Sequence, residues 1–384
     1  MSGTTPFEFA TATRIIFGTG KLTEAAPAAA SMGTHALVVT GRNPDRARKL
    51  LNSLSSAGLR TSLYSVSGEP KIADAEASAD CARRDGCELV IALGGGSVID
   101  TGKAIAALAF NPGSPLDYLE VIGRGQPLTQ PPAPFIAIPT TAGTGAEVTR
   151  NAVLVSPEHR LKVSLRHPLM LPRLAIIDPE LTYGLPQTLT AATGLDALTQ
   201  LIEPFTCNRA TPVTDALCRE AIPLAARSLQ RACENPDPTA RVDMALASLH
   251  GGLALANSGL GAVHGFAAPI GGMFEAPHGA ICAALLPHVM AANLKTMTEQ
   301  GLNIDRYIET ARLLTSDPKA GAADGIDWVK TLVATLKIPS LGSYGITRED
   351  FPDIAEKALT ASSIKANPVN LNQAELTSIL YDAL

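Results

Sequence analysis

Along the first half of the chain, short apolar runs alternate with stretches in which apolar residues recur every three or four positions. Residues 36–40, 61–66, 88–93, 135–139 and 174–178 are β-branched or continuously apolar and end near turn-forming residues, which marks them as strands. Residues 45–57, 74–85 and 97–110 carry the helical spacing. Strands separated by helix-length segments predict βαβ units, because parallel neighbours need a long crossover. The expected fold of residues 1–183 is therefore an α/β domain with a parallel, Rossmann-like sheet.

From about Leu185 the strand candidates fade and long apolar-periodic segments take over, at 188–203, 214–234, 239–257, 278–294, 304–315, 324–336, 347–359 and 372–383. They predict an all-α second domain over 184–384, with the boundary near 182–186. Four prolines in the eight residues 127–134 read as a surface connection.

Composition narrows the function more than the fold. The 384 residues, 46% hydrophobic and 17% charged, suit about two domains with a substantial core. A net charge of −5 without a long run of one sign argues against nucleic acid or an anionic membrane as partner. The six cysteines, Cys81, Cys87, Cys207, Cys218, Cys233 and Cys282, form no CxxC pair and read as reduced thiols in a cytoplasmic protein. Residues 1–6 lack the cations and apolar core of a signal peptide, and no uninterrupted apolar run of about 18 residues predicts a membrane span.

Two loops and one pair of segments carry candidate chemistry. Gly94-Gly95-Gly96-Ser97 lies between a predicted strand and a predicted helix, where glycines and a helix N-terminus suit a nucleotide pyrophosphate. Ser97 and Asp100 have the spacing of an N-cap with a first-turn acid. The threonine-rich loop from Pro139 to Thr149 follows another strand and offers hydroxyls to a ribose, phosphate or carboxamide. Asp196 and Gln200, four apart in an apolar run, share a helix face, and His264 and His278 sit beside glycines. One carboxylate with two imidazoles is a common ligand set for a divalent metal; the same residues also fit a buried aspartate and two ordinary histidines.

In this order and spacing, nearly end to end, the chain resembles the iron-containing (group III) alcohol dehydrogenases and, through them, the dehydroquinate-synthase-like fold. The likeness is carried by Ile16-Phe17-Gly18-Thr19-Gly20, by Gly94-Gly95-Gly96-Ser97 with Asp100 and Lys103, by the loop Pro139 to Thr149, by Asp178-Pro179-x-Leu181, by Asp196 and by Pro277-His278-Gly279. The resemblance implies NAD or NADP on the α/β domain and a divalent metal, Fe2+ first and Zn2+ or Mn2+ next, in the helical domain at an interdomain cleft. Gly94, Gly95, Gly96 and Ser97 would take the pyrophosphate, with Asp100 and Lys103 nearby, and Thr140, Thr141 and Thr144 would surround the ribose and nicotinamide. Asp196, His264 and His278 match three of the family's four ligands, one aspartate and three histidines, and would act catalytically through the metal.

The departures from the family pattern are Gln200, where the first histidine ligand falls, and Ala268, where a further histidine is usual. Glutamine ligates through a neutral, harder oxygen, so the hold on a soft metal is expected to weaken. At the end of the first predicted strand, Gly41 and Arg42 replace the aspartate of NAD-specific relatives, which permits NADP. The expected activity is hydride transfer between NAD(P) and a small alcohol, aldehyde or ketone. Two alternatives stand beside it: a metal-independent reductase resembling maleylacetate reductase, and an NAD(P)-binding protein without turnover. A homodimer is expected, with residues 14–17 as an exposed strand for pairing.

Overall fold

The strands β1 (Ile15–Phe17), β2 (His35–Thr40), β3 (Arg60–Ser65), β4 (Leu89–Gly94), β5 (Phe135–Pro139) and β8 (Leu174–Ile177) form one parallel sheet in the order β1-β8-β5-β4-β2-β3. β6 (Asn151–Ser156) and β7 (Leu161–Arg166) form a separate antiparallel hairpin. The computed structural model describes residues 6–384; the remainder of the N-terminal stretch read above for a signal peptide lies outside the described residues. The sheet and hairpin belong to one compact unit, Thr11–Thr141 with Gly145–Gly184.

The inner strands were legible because both faces of this sheet are covered there. Ala36, Val38, Ile91, Ile136 and Ile176 point to one face, with Leu22, Ala29, Leu50 and Leu54 packed on them. The alternating Leu37, Val39, Val90, Ala92 and Ala137 point to the other, under Val98, Ile99 and Ile105. Helices α1 (Ala25–Ala30) and α2 (Arg48–Ser56) therefore cover one face, and α3 (Ile72–Asp85) and α4 (Gly96–Leu108) the other. The short α5 (Pro115–Tyr118) leads into the proline-rich connection. The hairpin, which the periodicity did not reveal, packs Leu154, Val163 and Leu165 beside Ala104, Ala107 and Leu108 of α4.

The second unit, made of Leu185–Leu384, Ala142–Thr144 and residues 6–10, is mainly helical. Its helices are α6 (Gln187–Thr206), α7 (Pro212–Glu234), α8 (Pro238–Asn257), α9 (Ala262–Met273), α10 (His278–Glu299), α11 (Asp305–Thr315), α12 (Ala322–Thr335), α13 (Phe351–Thr360) and α14 (Gln373–Ala383). Eight of these follow the expected segments; α9 was not anticipated. Close packing of α6 rests on small residues: a Cβ on Gly194 would lie 2.2 Å from Leu229 of α7, and one on Gly251 of α8 would lie 3.3 Å from the Gln200 Cβ. By length and composition α10 is apolar enough to cross a bilayer, but most of that stretch is buried in the unit's own core, which accounts for its apolarity.

Candidate metal centre and coenzyme loops

Three helices of the helical unit bring their polar residues to one point. α6 contributes Asp196, Gln200 and Glu203, which fall on one stripe because steps of four and three follow the helical turn. α9 contributes His264 from its first turn, and α10 contributes its first residue, His278, with Cys282 one turn further on the same face. One donor atom from each of Asp196, His264, His278 and Cys282 lies within 4.8 Å of all the others.

Glu203 explains how His264 is aimed. The α9 N-cap is Gly261, which has no side chain to cap the helix, and a Cβ there would meet the Glu203 and Asn367 oxygens at 2.8 and 2.9 Å. Those two side chains do the capping instead: Val263 N–H donates to Glu203 Oε1 (2.7 Å) and Ala262 N–H to Asn367 Oδ1 (3.1 Å). The second Glu203 oxygen receives the His264 Nδ1 proton at 2.6 Å. With Nδ1 so engaged, Nε2 presents its lone pair to the cluster, the arrangement by which a carboxylate orients a metal-binding imidazole.

The Asp196 Oδ1 atom lies 3.5 Å from His264 Nε2 and 3.7 Å from His278 Nε2. Cys282 Sγ lies 3.9 and 3.7 Å from the same two nitrogens. Asp196 and Gln200 are 1% and 2% exposed, yet Asp196 Oδ1 and Gln200 Oε1 have no hydrogen-bond partner. A buried, unpaired Asp196 oxygen beside two imidazoles, with a second unpaired oxygen on Gln200 one helical turn along α6, is costly unless a cation satisfies it, so the residues fit a divalent metal. The side chain of His278, 30% exposed, is the cluster's opening.

Titration behaviour agrees. Burial pushes the Asp196 carboxyl up, but His278, His264 and Gln200 outweigh it and hold it below its ordinary value. Burial works against charge on the imidazoles too, yet Cys282, Glu203 and Asp196 hold His264 well above its ordinary value, and Cys282 and Asp196 hold His278 above. Burial also opposes ionisation of Cys282, and the two histidines overcome it.

The α/β unit presents the expected coenzyme residues at the carboxyl ends of adjacent strands. β2, β4 and β5 are neighbours, with Thr40 opposite Leu93 and Gly94 opposite Pro139. The turn after β4 is tight: a Cβ on Gly94 would lie 2.5 Å from Val98. Consequently α4 starts at once, with Gly95 as its N-cap, and Ser97 stands in the first turn rather than capping it. Val98 and Ile99 N–H both donate to Gly95 O, so the earlier N–H groups have no intrahelical acceptor, a geometry that suits an anion. Thr140 N–H donates to Gly94 O (2.9 Å), and Thr141 lies beside Gly95. Thr144 belongs to the segment that clusters with the helical unit. Asp100 and Lys103 are engaged with each other and with the hairpin. They pair at 3.0 Å, Asp100 accepts from Val153 N–H, and the buried Lys103 also donates to Thr149 and to the Asn151 carbonyl, tying α4 to the hairpin. Gly41 follows β2 with open space around it, its nearest neighbour being Val98 at 4.0 Å from a Cβ, and Arg42 is exposed.

Of the other histidines, His250 is half-buried and burial pushes its pKa down, as it does for His288 and His167, while His35 and His159 bond to Ser62 and Ser156. Lys162, on β7, pairs with Glu69 at 3.2 Å. Sequence reasoning passed over Glu203 and Cys282. The available signals were the steps of four and three in Asp196, Gln200 and Glu203, and of four in His278 and Cys282.

Residues 12–179 match the family model of the iron-containing alcohol dehydrogenases, and residues 190–384 match the model of that family's C-terminal part. The 1,3-propanediol dehydrogenase of Klebsiella pneumoniae is 37% identical over 340 residues, 87% of this chain and 86% of its own length. A crystal structure of 1,3-propanediol oxidoreductase superposes with a TM-score of 0.92 at 33% identity, over 99% of this chain and all of that one. The sulfoacetaldehyde reductase of Bifidobacterium kashiwanohense, solved in complex with NAD+, superposes with a TM-score of 0.87 at 28% identity, over 99% of each chain. Since both family models and a relative over most of its length agree, this chain belongs to the iron-containing alcohol dehydrogenase family, oxidoreductases that act on alcohols.

Proposed function

We propose that the protein oxidises small alcohols and reduces the matching aldehydes or ketones, with NADP or NAD on the α/β unit and a divalent cation held by Asp196, His264, His278 and Gln200. The observation that carries this reading is the buried, unpartnered Asp196 oxygen beside two imidazoles, with an unpartnered Gln200 oxygen one helical turn along α6. A cation bound there supplies Lewis acidity to a substrate oxygen, and the nicotinamide exchanges the hydride. The chain's own part is to place and orient them. Asp196 supplies negative charge, Glu203 fixes His264, and His278 stands at the opening. The first turn of α4 with Thr140 and Thr141 offers donors for the pyrophosphate and ribose. Six free cysteines suit a reducing, cytoplasmic setting, and the edge strand β1 is available for a homodimer.

A coenzyme-dependent absorbance assay over a panel of small aldehydes tests the reading. Activity is expected to vanish in stripped protein and to return with Fe2+ or Zn2+. Full activity in stripped protein would instead make it a metal-independent reductase, and no turnover under any condition a binding protein only.

The open position after β2 bears on coenzyme choice. Nothing at Gly41 repels a 2′-phosphate, and Arg42 is at hand to meet one. NADP(H) is therefore expected to serve at least as well as NAD(H). A Cβ at Gly41 meets no clash, and Gly41→Asp should lower kcat/KM for NADP(H) at least about tenfold, roughly 1.4 kcal/mol, with NAD(H) little changed. Exclusive use of NAD(H) by the unaltered protein rules this out.

A further inference from the structure

Resting on the reading of the cluster as a metal site, we infer that Cys282 is itself a ligand, so that the centre is a carboxylate–imidazole–thiolate site with sulfur in the place left by the missing histidine. The geometry carries this. Bonds of about 2.0–2.1 Å to nitrogen and about 2.3 Å to sulfur put neighbouring donors of a tetrahedral centre roughly 3.4–3.6 Å apart. The four contacts of Asp196 Oδ1 and Cys282 Sγ with the two Nε2 atoms, 3.5, 3.7, 3.7 and 3.9 Å, cluster near that spacing. A thiol that merely filled space would need no such relation to both imidazoles at once.

Independent of the sulfur, the unpartnered Asp196 Oδ1 points to a cation at this place. Cys282 is fully buried and held on α10 one turn after His278, so its position follows from that of an expected ligand. Buried side chains supply the aspartate and sulfur, and the buried Gln200, one turn from Asp196 on α6, keeps an unpartnered neutral oxygen. The consequence is chemical selectivity. Thiolate favours Zn2+, Fe2+ and Co2+ over Mn2+ and Mg2+, so this chain should discriminate among divalent ions more sharply than its glutamine alone implies.

Cobalt titration of stripped, full-length protein under anaerobic conditions tests the assignment without reference to activity. The unaltered chain is expected to bind about one Co2+ and to develop a near-ultraviolet thiolate-to-cobalt charge-transfer absorption. Cys282→Ser should lose that absorption and bind Co2+ at least about tenfold more weakly, with a smaller loss for Mn2+. Gln200→His should keep the absorption. Should the serine variant fail to fold, cobalt K-edge absorption of the unaltered protein still reads the ligand directly, since a sulfur scatterer belongs at about 2.3 Å. Bound cobalt without the absorption and without the scatterer overturns the inference and leaves the metal reading standing. No bound cobalt in the unaltered protein overturns both.

Discussion

His278→Ala is expected to leave a folded protein that no longer retains its divalent cation and that has lost at least about a thousandfold in kcat/KM, roughly 4 kcal/mol of transition-state stabilisation. Position explains the size of the effect. His278 is the first residue of α10, its Nε2 lies 3.7 Å from both Asp196 Oδ1 and Cys282 Sγ, and its side chain is the exposed member of the cluster. Truncation removes a ligand and leaves the buried Asp196 facing His264 alone. Because the side chain stands partly open to solvent, its removal creates no sealed cavity, so the far-ultraviolet spectrum and thermal midpoint should change little. Metal content and turnover, measured on the same preparation, must fall together. Retention of both in the alanine variant excludes His278 as a ligand.

Gly279→Ala should be nearly as damaging, for a steric reason. A Cβ on Gly279 would lie 2.5 Å from the carbonyl oxygen and 2.8 Å from the carbonyl carbon of Ala192, one turn before Asp196 on α6. The obstacle is backbone, which no rotamer change relieves. Alanine is favoured over glycine in a helix interior by about 1 kcal/mol, whereas overpacking costs about 1–3 kcal/mol, and here the clash prevails. The N-terminus of α10 must back away from α6, widening the separation of His278 from Asp196. The expected result is a loss of about 2 kcal/mol in denaturant stability and at least about a tenfold drop in metal affinity. Gly184→Ala, with nothing within 4 Å of a Cβ, serves as the control that should change neither.

The contrast between what was legible in the sequence and what was not follows the physics of each element. The central strands announced themselves because burial on both faces makes nearly every position apolar, as in the fully buried β2 and β4, whereas the edge strand β3 is polar and largely exposed. Residues 14–17 read only as an exposed pairing strand, since so short a run shows no period; Ile15–Phe17 join the sheet as β1 at its edge beside β8. The helix α9 was hidden by Gly261, Gly265, Pro269, Gly271 and Gly272, all poor helix formers. It forms because Val263, Phe266, Ala267 and Ile270 are buried in the core, where packing overrides propensity. Asp196, His264 and His278 were found through family likeness and prove to be neighbours. Cys282 and Glu203 were not found, since what distinguishes them is their approach to His264, across 18 and 61 residues of chain. No local pattern encodes that convergence.

The helical unit is not a continuous stretch of gene. The Ala10 amide and carbonyl exchange hydrogen bonds of 2.6 and 2.9 Å with the Asn257 side chain. Gly143 sits so close to Thr193 that a Cβ would come within 2.8 Å of it. Recombination between two relatives with a single crossover near residue 184 therefore joins an early segment from one parent to helices from the other, and it does so at both seams. Such a chimera inherits a mismatch wherever one parent has a side chain at 143 and the other a close residue at 193, or where the parent supplying position 257 lacks a side chain that can pair with the backbone of residue 10. A shuffling scheme that exchanges residues 6–10 and 142–144 together with the stretch after 184 keeps each seam within one parent, and its products should fold more often than single-crossover products do.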